Sequence, residues 1–104
     1  MISIARDFID TPGARYISEG AYSGELFLKD HLLPKFEEAV AKEHILLIDL
    51  DGMWGYPSSF VSGSFGKLSV DKGKDLVLKH IQFKSNSESK ILKFIGEINN
   101  PQNK

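Results

Sequence analysis

Residues 44–60 read HILLIDLDGMWGYPSSF. The segment from His44 to Leu50 is nearly continuous in apolar character, the pattern of a central strand buried on both faces beneath packed helices. Asp51-Gly52 is a common turn dipeptide and ends the strand. Directly after Pro57, Ser58 and Ser59 open a helix, where either hydroxyl can accept a hydrogen bond from an orphan backbone N–H. A buried strand that passes through a glycine-bearing loop into a helix places the chain among layered proteins that mix the two elements.

Working outward towards the N-terminus, Ile2, Ile4 and Phe8 alternate and predict a half-buried strand over 2–9, stopped by Thr11-Pro12-Gly13. ARYIS at 14–18 is rich in β-formers between two glycine-bearing turns and predicts a second strand, in a hairpin with the first. Ser23 caps a helix with Glu25 in its first turn, and Leu26, Leu33, Phe36 and Val40 form its core face. Pro34 lies inside that pattern, so the helix kinks or divides into two short helices meeting near His31 to Leu33.

Towards the C-terminus, Val61, Phe65 and Leu68 keep helical spacing over 57–68, while Ser62, Gly63, Ser64 and Gly66 are small. An interior glycine costs a helix about 1 kcal/mol against alanine, a cost that close approach to a sheet or a partner explains. VDKGKD at 70–75 reads as a solvent connection, and alternation over 78–84 predicts another strand. Ser85 and Glu88 have the spacing of a capping box before a stripe of Ile91, Leu92, Phe94, Ile95 and Ile98, in a helix ending near Asn99. The order is β-β-α-β-α-β-α: one α/β or α+β domain over 1–99 and a flexible tail over 100–104. A mixed sheet of about four strands, with helices mainly on one face, satisfies that order.

At 104 residues the chain builds one core. Thirteen basic against fourteen acidic side chains leave a net charge of -1, without the basic footprint that nucleic acid demands, so no nucleic-acid partner is expected. The absence of cysteine excludes disulfides, thiolate metal sites and cysteine nucleophiles. The longest uninterrupted apolar run, Ile45 to Ile48, is too short for a membrane or signal segment, so no membrane partner and a cytoplasmic location are expected.

Asp49 and Asp51 lie two apart, with their carboxylates able to point to one side, but no third ligand follows at a recognisable spacing, so turn formation is the stronger reading. His31, His44 and His80 lack zinc-site spacing, and Lys72-Gly73-Lys74 lacks the rest of a phosphate loop. With no base, orienting residue or cofactor motif beside Asp49, Asp51 or Ser58, no catalytic residue, metal or cofactor is expected, and the chain reads as a non-enzyme. Trp54 and Tyr56, beside Met53 and ahead of Phe60, have two readings: interface anchors or caps on the edge of the core.

Residues 46–69, LLIDLDGMWGYPSSFVSGSFGKLS, resemble the STAS-like family of bacterial proteins of unknown function: an Ile-Asp strand end, a glycine-bearing loop, Ser-Ser-Phe, then Phe-Gly and Leu. The wider element order is similar to that of the STAS fold of anti-sigma factor antagonists. The resemblance implies a regulatory module in which Ser58 is the residue phosphorylated by a partner and Ser59 its neighbour. It implies a partner surface of Asp51, Met53, Trp54, Tyr56, Ser58, Ser59, Phe60 and Ser62, facing a histidine-kinase-type ATPase or an anti-sigma-like regulator. Pro57 stands where such antagonists carry aspartate, and Phe60 where they carry glycine. Two alternatives stand beside this one: a sensor binding a nucleotide or another anion at the N-terminus of the second helix, and a purely structural interaction or inhibitor protein.

Overall fold

The computed structural model describes residues 1–9, 23–53 and 57–101. Three strands, β1 (Ile2–Ser3), β2 (Leu46–Asp49) and β3 (Ile81–Lys84), form a parallel sheet in the order β1-β2-β3. Ile2 lies opposite Ile48, and Ile48 opposite Phe83. Along β2, Leu46 and Ile48 are buried while Leu47 and Asp49 are half-buried, and Gln82 and Lys84 of β3 share the more open face. The expected burial of β2 on both faces therefore gives way to period-two burial, with the closely packed side holding Ile2, Leu46, Ile48 and Ile81.

The first strand is shorter than alternation suggests. After Ser3 the chain turns into a helix, α1 (Ile4–Asp7), in place of a strand reaching residue 9. The Ser3 hydroxyl accepts the Arg6 N–H at 3.3 Å, and the Asp7 carboxylate accepts the Ser3 N–H at 2.9 Å. This reciprocal pairing gives the backbone local partners and outweighs the strand-like spacing of Ile2, Ile4 and Phe8. The expected strand at 14–18 and its hairpin lie outside the described residues. Among the described residues the sheet has three strands, all parallel, and the further strand expected of a mixed sheet falls outside them.

Helix α2, residues 24–41, comprises Gly24–Phe27, a π turn Leu28–Leu32, and Leu33–Ala41. Ser23 caps it, its hydroxyl accepting the Leu26 N–H at 3.1 Å. The interruption falls where Pro34 requires one, and its form is a widened turn closed by the Leu33 N–H on the Leu28 carbonyl. Pro34 has no N–H, and its ring crowds the carbonyl four residues back, so a wide turn just before it lets the helix continue. Phe27, Leu32, Phe36 and Ala39 are buried along its inner side.

Helix α3, residues 58–72, is built in the same way: Ser58–Val61, a π turn Ser62–Gly66, then Lys67–Lys72. It ends at Gly73, whose φ of +90° suits glycine, and α4 (Lys74–His80) starts at once. Residues 70–75 are thus two helix ends and a one-residue hinge rather than a loop, and residues 78–80 are helical rather than extended. Val77 and His80, three apart, are both buried, a helical spacing that the alternation of 78–84 concealed. Helix α5 (Glu88–Asn99) ends where expected, but its cap is Ser87, which accepts the Lys90 N–H at 3.3 Å, and not Ser85.

The small residues of α3 serve helix contacts more than sheet contacts. A Cβ added to Gly24 of α2 would lie 2.5 Å from the Phe60 carbonyl oxygen and 2.9 Å from the Gly63 carbonyl carbon. One added to Gly66 would lie 2.8 Å from Glu97 Oε2 of α5. Buried hydroxyls find carbonyls here: Ser64 Oγ donates to Phe60 at 2.8 Å, and Ser69 Oγ donates to Ile98 at 2.6 Å. Phe27 meets Phe8, Phe60 and Phe65 at centroid distances of 5.2, 5.6 and 6.1 Å. Phe65 in turn meets Phe83 and Phe94, each at 5.3 Å, so one run of rings joins both long helices to β3 and α5. Among the described residues, no helix is long and apolar enough to cross a membrane.

Two glycine substitutions should act in opposite directions. Gly24→Ala overpacks a backbone contact and should lower unfolding free energy by about 1–3 kcal/mol in urea titration. Gly96→Ala, on α5 with open space around the new methyl, should raise it by about 0.5–1 kcal/mol. Equal effects at the two positions would refute the close α2–α3 contact.

Candidate functional site

The site is built where β2 ends. Asp49 Oδ1 accepts the Asp51 N–H at 2.9 Å, an aspartate turn that folds the chain back on itself. Gly52 completes it with φ of +88°, a backbone conformation that side chains disfavour. The Asp51 carboxylate is engaged as well: its Oδ1 accepts the Ser85 hydroxyl at 3.1 Å and the Asn86 N–H at 2.9 Å. Lys84 Nζ lies 3.9 Å from Asp49 Oδ2, and Lys90 Nζ donates to the Leu50 carbonyl at 3.4 Å. The two acids act as turn and loop ties, and among the described residues no group of three metal-binding side chains is assembled.

The residues expected at a partner surface divide sharply. Phe60 and Ser62 are fully buried and Met53 is 7 % exposed, so these three turn into the core in this structure. Helical and loop spacing could not separate them from their exposed neighbours without knowing which side of α3 meets α2. Trp54 and Tyr56 lie outside the described residues. Asp51 is half-buried and held by Ser85 and Asn86, while Ser58 is exposed and Ser59 half-buried.

The serine pair is not the cap of α3. Pro57 is at the N-cap with φ of -61° and ψ of 150°, its carbonyl accepting the Phe60 N–H at 3.0 Å and the Val61 N–H at 3.3 Å. No side-chain hydrogen bond caps this helix, so Ser58 and Ser59 are its first two residues. Proline suits the position because its fixed φ is compatible with the bend into the helix and its missing N–H leaves nothing unsatisfied. Phe60 then turns inward and is fully buried, with its ring 5.6 Å from Phe27 and 6.2 Å from Phe8.

The histidines are spread through the fold. His31 stacks on Phe27 at 5.8 Å and meets Phe8 edge-on at 5.4 Å. His80 is buried with Nδ1 2.8 Å from the His44 carbonyl, an oxygen that only accepts, so Nδ1 carries the proton. Lys72-Gly73-Lys74 marks the α3–α4 junction.

Ser85 and Asn86 are the site residues that reading along the chain missed. The spacing of Ser85 from Glu88 is that of a capping box, yet the Ser85 hydroxyl donates to Asp51 and accepts the Ser87 N–H at 3.0 Å. The signal available is topological: with Asp49 paired to Lys84, the residues after each strand end emerge side by side.

The Asn86 N–H holds the Asp51 carboxyl below its ordinary value of 3.8, helped by the Ser85 hydroxyl and by Lys84 and Lys90, against a smaller opposing effect of burial. The Asp7 carboxyl is lowered too, chiefly by the Ser3 N–H. Because the folded values lie below the unfolded ones, the stability they supply is complete above pH 3.8 and is lost as pH falls through the folded values. Urea midpoints should therefore drop as pH falls below 3.8, and less steeply in Asp51→Asn, which keeps an acceptor oxygen but does not titrate. An identical slope in that variant would remove the carboxylate from the account.

Residues 23–90 match the family model of a STAS-like domain of unknown function (DUF4325). The matched span runs from the cap of α2 into the first turn of α5 and includes β2, the Asp51 turn, the serine pair, β3 and Ser85. No curated protein and no solved structure matches the chain. With more than half of its length inside the match, the chain belongs to this STAS-like domain family.

Proposed function

We propose that the protein is a non-enzymatic regulatory module that resembles an anti-sigma factor antagonist and binds a protein partner through the start of α3. Ser58 is the proposed phosphoacceptor, Ser59 its neighbour, and a histidine-kinase-type ATPase or anti-sigma-like regulator the proposed partner. The observation that carries this reading is the outward position of Ser58 beside an inward Phe60. A helix turns through about 100° per residue, so anchoring Phe60 in the core rotates the residue two places earlier to the far side. The bulky ring that replaces glycine in the antagonist pattern is thus removed from the surface and does not cover the hydroxyl.

Position and chemistry favour a reversible charge at Ser58. The first-turn N–H groups and the positive end of the helix stabilise a phosphate, so modification leaves α3 intact. The same charge placed within an interface opposes binding through repulsion and desolvation. A phosphorylation switch at Ser58 needs no catalytic group of the chain's own, which suits a binding module.

Incubation with the cognate ATPase and ATP should add one phosphate to the intact protein, and Ser58→Ala should abolish the gain. Ser58→Glu should weaken partner binding by about tenfold or more, a loss of ~1.4 kcal/mol. If pull-downs from the native cell find no partner, and phosphosite mapping finds neither serine modified, the switch reading fails.

A further inference from the structure

The geometry points to a second helical register for α3, shifted by one residue, in which Ser59 takes the outward place of Ser58 and Ser58 becomes the cap. Phe60 and Phe65 are both fully buried although they lie five residues apart, positions that a regular helix would turn about 140° from one another. The π turn Ser62–Gly66 reconciles them by holding one residue more than a regular turn, with the Lys67 N–H on the Ser62 carbonyl. The Ser64 hydroxyl, itself fully buried, supports the widened backbone through the Phe60 carbonyl at 2.8 Å and the Val61 carbonyl at 3.4 Å.

Passing the extra residue to the N-terminus leaves 59–72 as a regular helix, and three features of α3 suit that shift. Val61 lies four residues before Phe65, the spacing of one helical face, and is already 1 % exposed, so an apolar side chain follows Phe60 into the inward place. Ser59 follows Ser58, so one hydroxyl succeeds another at the exposed place. The helix as seen has no side-chain cap, whereas the shift puts Ser58 where Pro57 stands, and its oxygen then accepts a first-turn N–H. Against these stands the Phe60 ring, packed on Phe8 and Phe27, whose burial favours the register seen. The register thus decides which serine faces outward. As control of a phosphoacceptor this rests on Ser58 being the modified residue, but the two registers belong to the unmodified chain, so either reading can fail without the other.

Phe60→Val tests it on the unmodified protein, because the competing inward residues are then alike. Backbone carbon-13 shifts should move Ser58 from helical towards extended values while 59–72 stays helical. A thiol introduced by Ser59→Cys, in a chain with no cysteine of its own, should react with a maleimide about threefold or more faster than it does beside Phe60. Helical values retained at Ser58, or an unchanged thiol rate, overturn the proposal. Helical values lost across Ser58–Val61 overturn it too, since that is fraying and not a shift. If Phe60→Val does not fold, Ser64→Ala decides by the same two readings, because it removes the hydroxyl that supports the wide turn.

Discussion

The structure depends on how closely α3 comes to α2. At Gly24 there is no room for even a methyl group, because the Phe60 carbonyl and the Gly63 backbone occupy the space. That contact fixes the position of the α3 backbone, and Phe60 then enters the cluster of Phe8 and Phe27. Helical geometry does the rest. With Phe60 inward, Ser58 is turned outward, and with Phe65 inward, the same helix reaches Phe83 and Phe94 on the far side of the core. The exposure of Ser58 is thus a consequence of packing around Phe60 and needs no separate device.

Both long helices carry a π turn, and the reasons differ. In α2 the wide turn at Leu28–Leu32 lies directly before Pro34 and accommodates its ring and missing donor. In α3 the turn at Ser62–Gly66 contains no proline and is made of small residues around Phe65. There the Ser64 hydroxyl donates to the Phe60 carbonyl, so a side chain supports the backbone where the ordinary helical pattern is interrupted. Small side chains at this turn admit neighbouring backbone on one side and Glu97 on the other. The helix cost of Gly66, about 1 kcal/mol, accompanies its close approach to the Glu97 side chain, which an added methyl would push aside.

Much of this was legible in the sequence where local pattern and tertiary demand agree. The best strand, the Ser23 cap, the break near Pro34 and the end of α5 all follow from short-range rules. The errors arise where a local rule had a competitor. Alternation at Ile2, Ile4 and Phe8 lost to the Ser3–Asp7 capping pair. Alternation at Leu78 and His80 lost to the helical burial of Val77 and His80. Ser85 has capping-box spacing with Glu88, but its hydroxyl is bonded to Asp51 and Ser87 caps α5. The site divides along the same line: Ser58 and Ser59 are visible from their place after Pro57, whereas Ser85 and Asn86 are visible only once β2 and β3 are known to run parallel.

Parallel pairing gives the site its unity. In a parallel sheet every strand ends at the same edge, so loops distant in sequence emerge together. Here the pairing of Asp49 with Lys84 brings Asp51 within reach of Ser85 and Asn86, and an aspartate turn closed by Asp49 aims it there. The two acids that suggested a cation site by their spacing are divided between tasks: Asp49 shapes the turn and Asp51 joins it to the neighbouring loop. Asp49 Oδ1 takes the Asp51 N–H, and Asp51 Oδ1 takes the Ser85 and Asn86 donors. These hydrogen bonds hold the turn after β2 against the start of the segment that leads to α5.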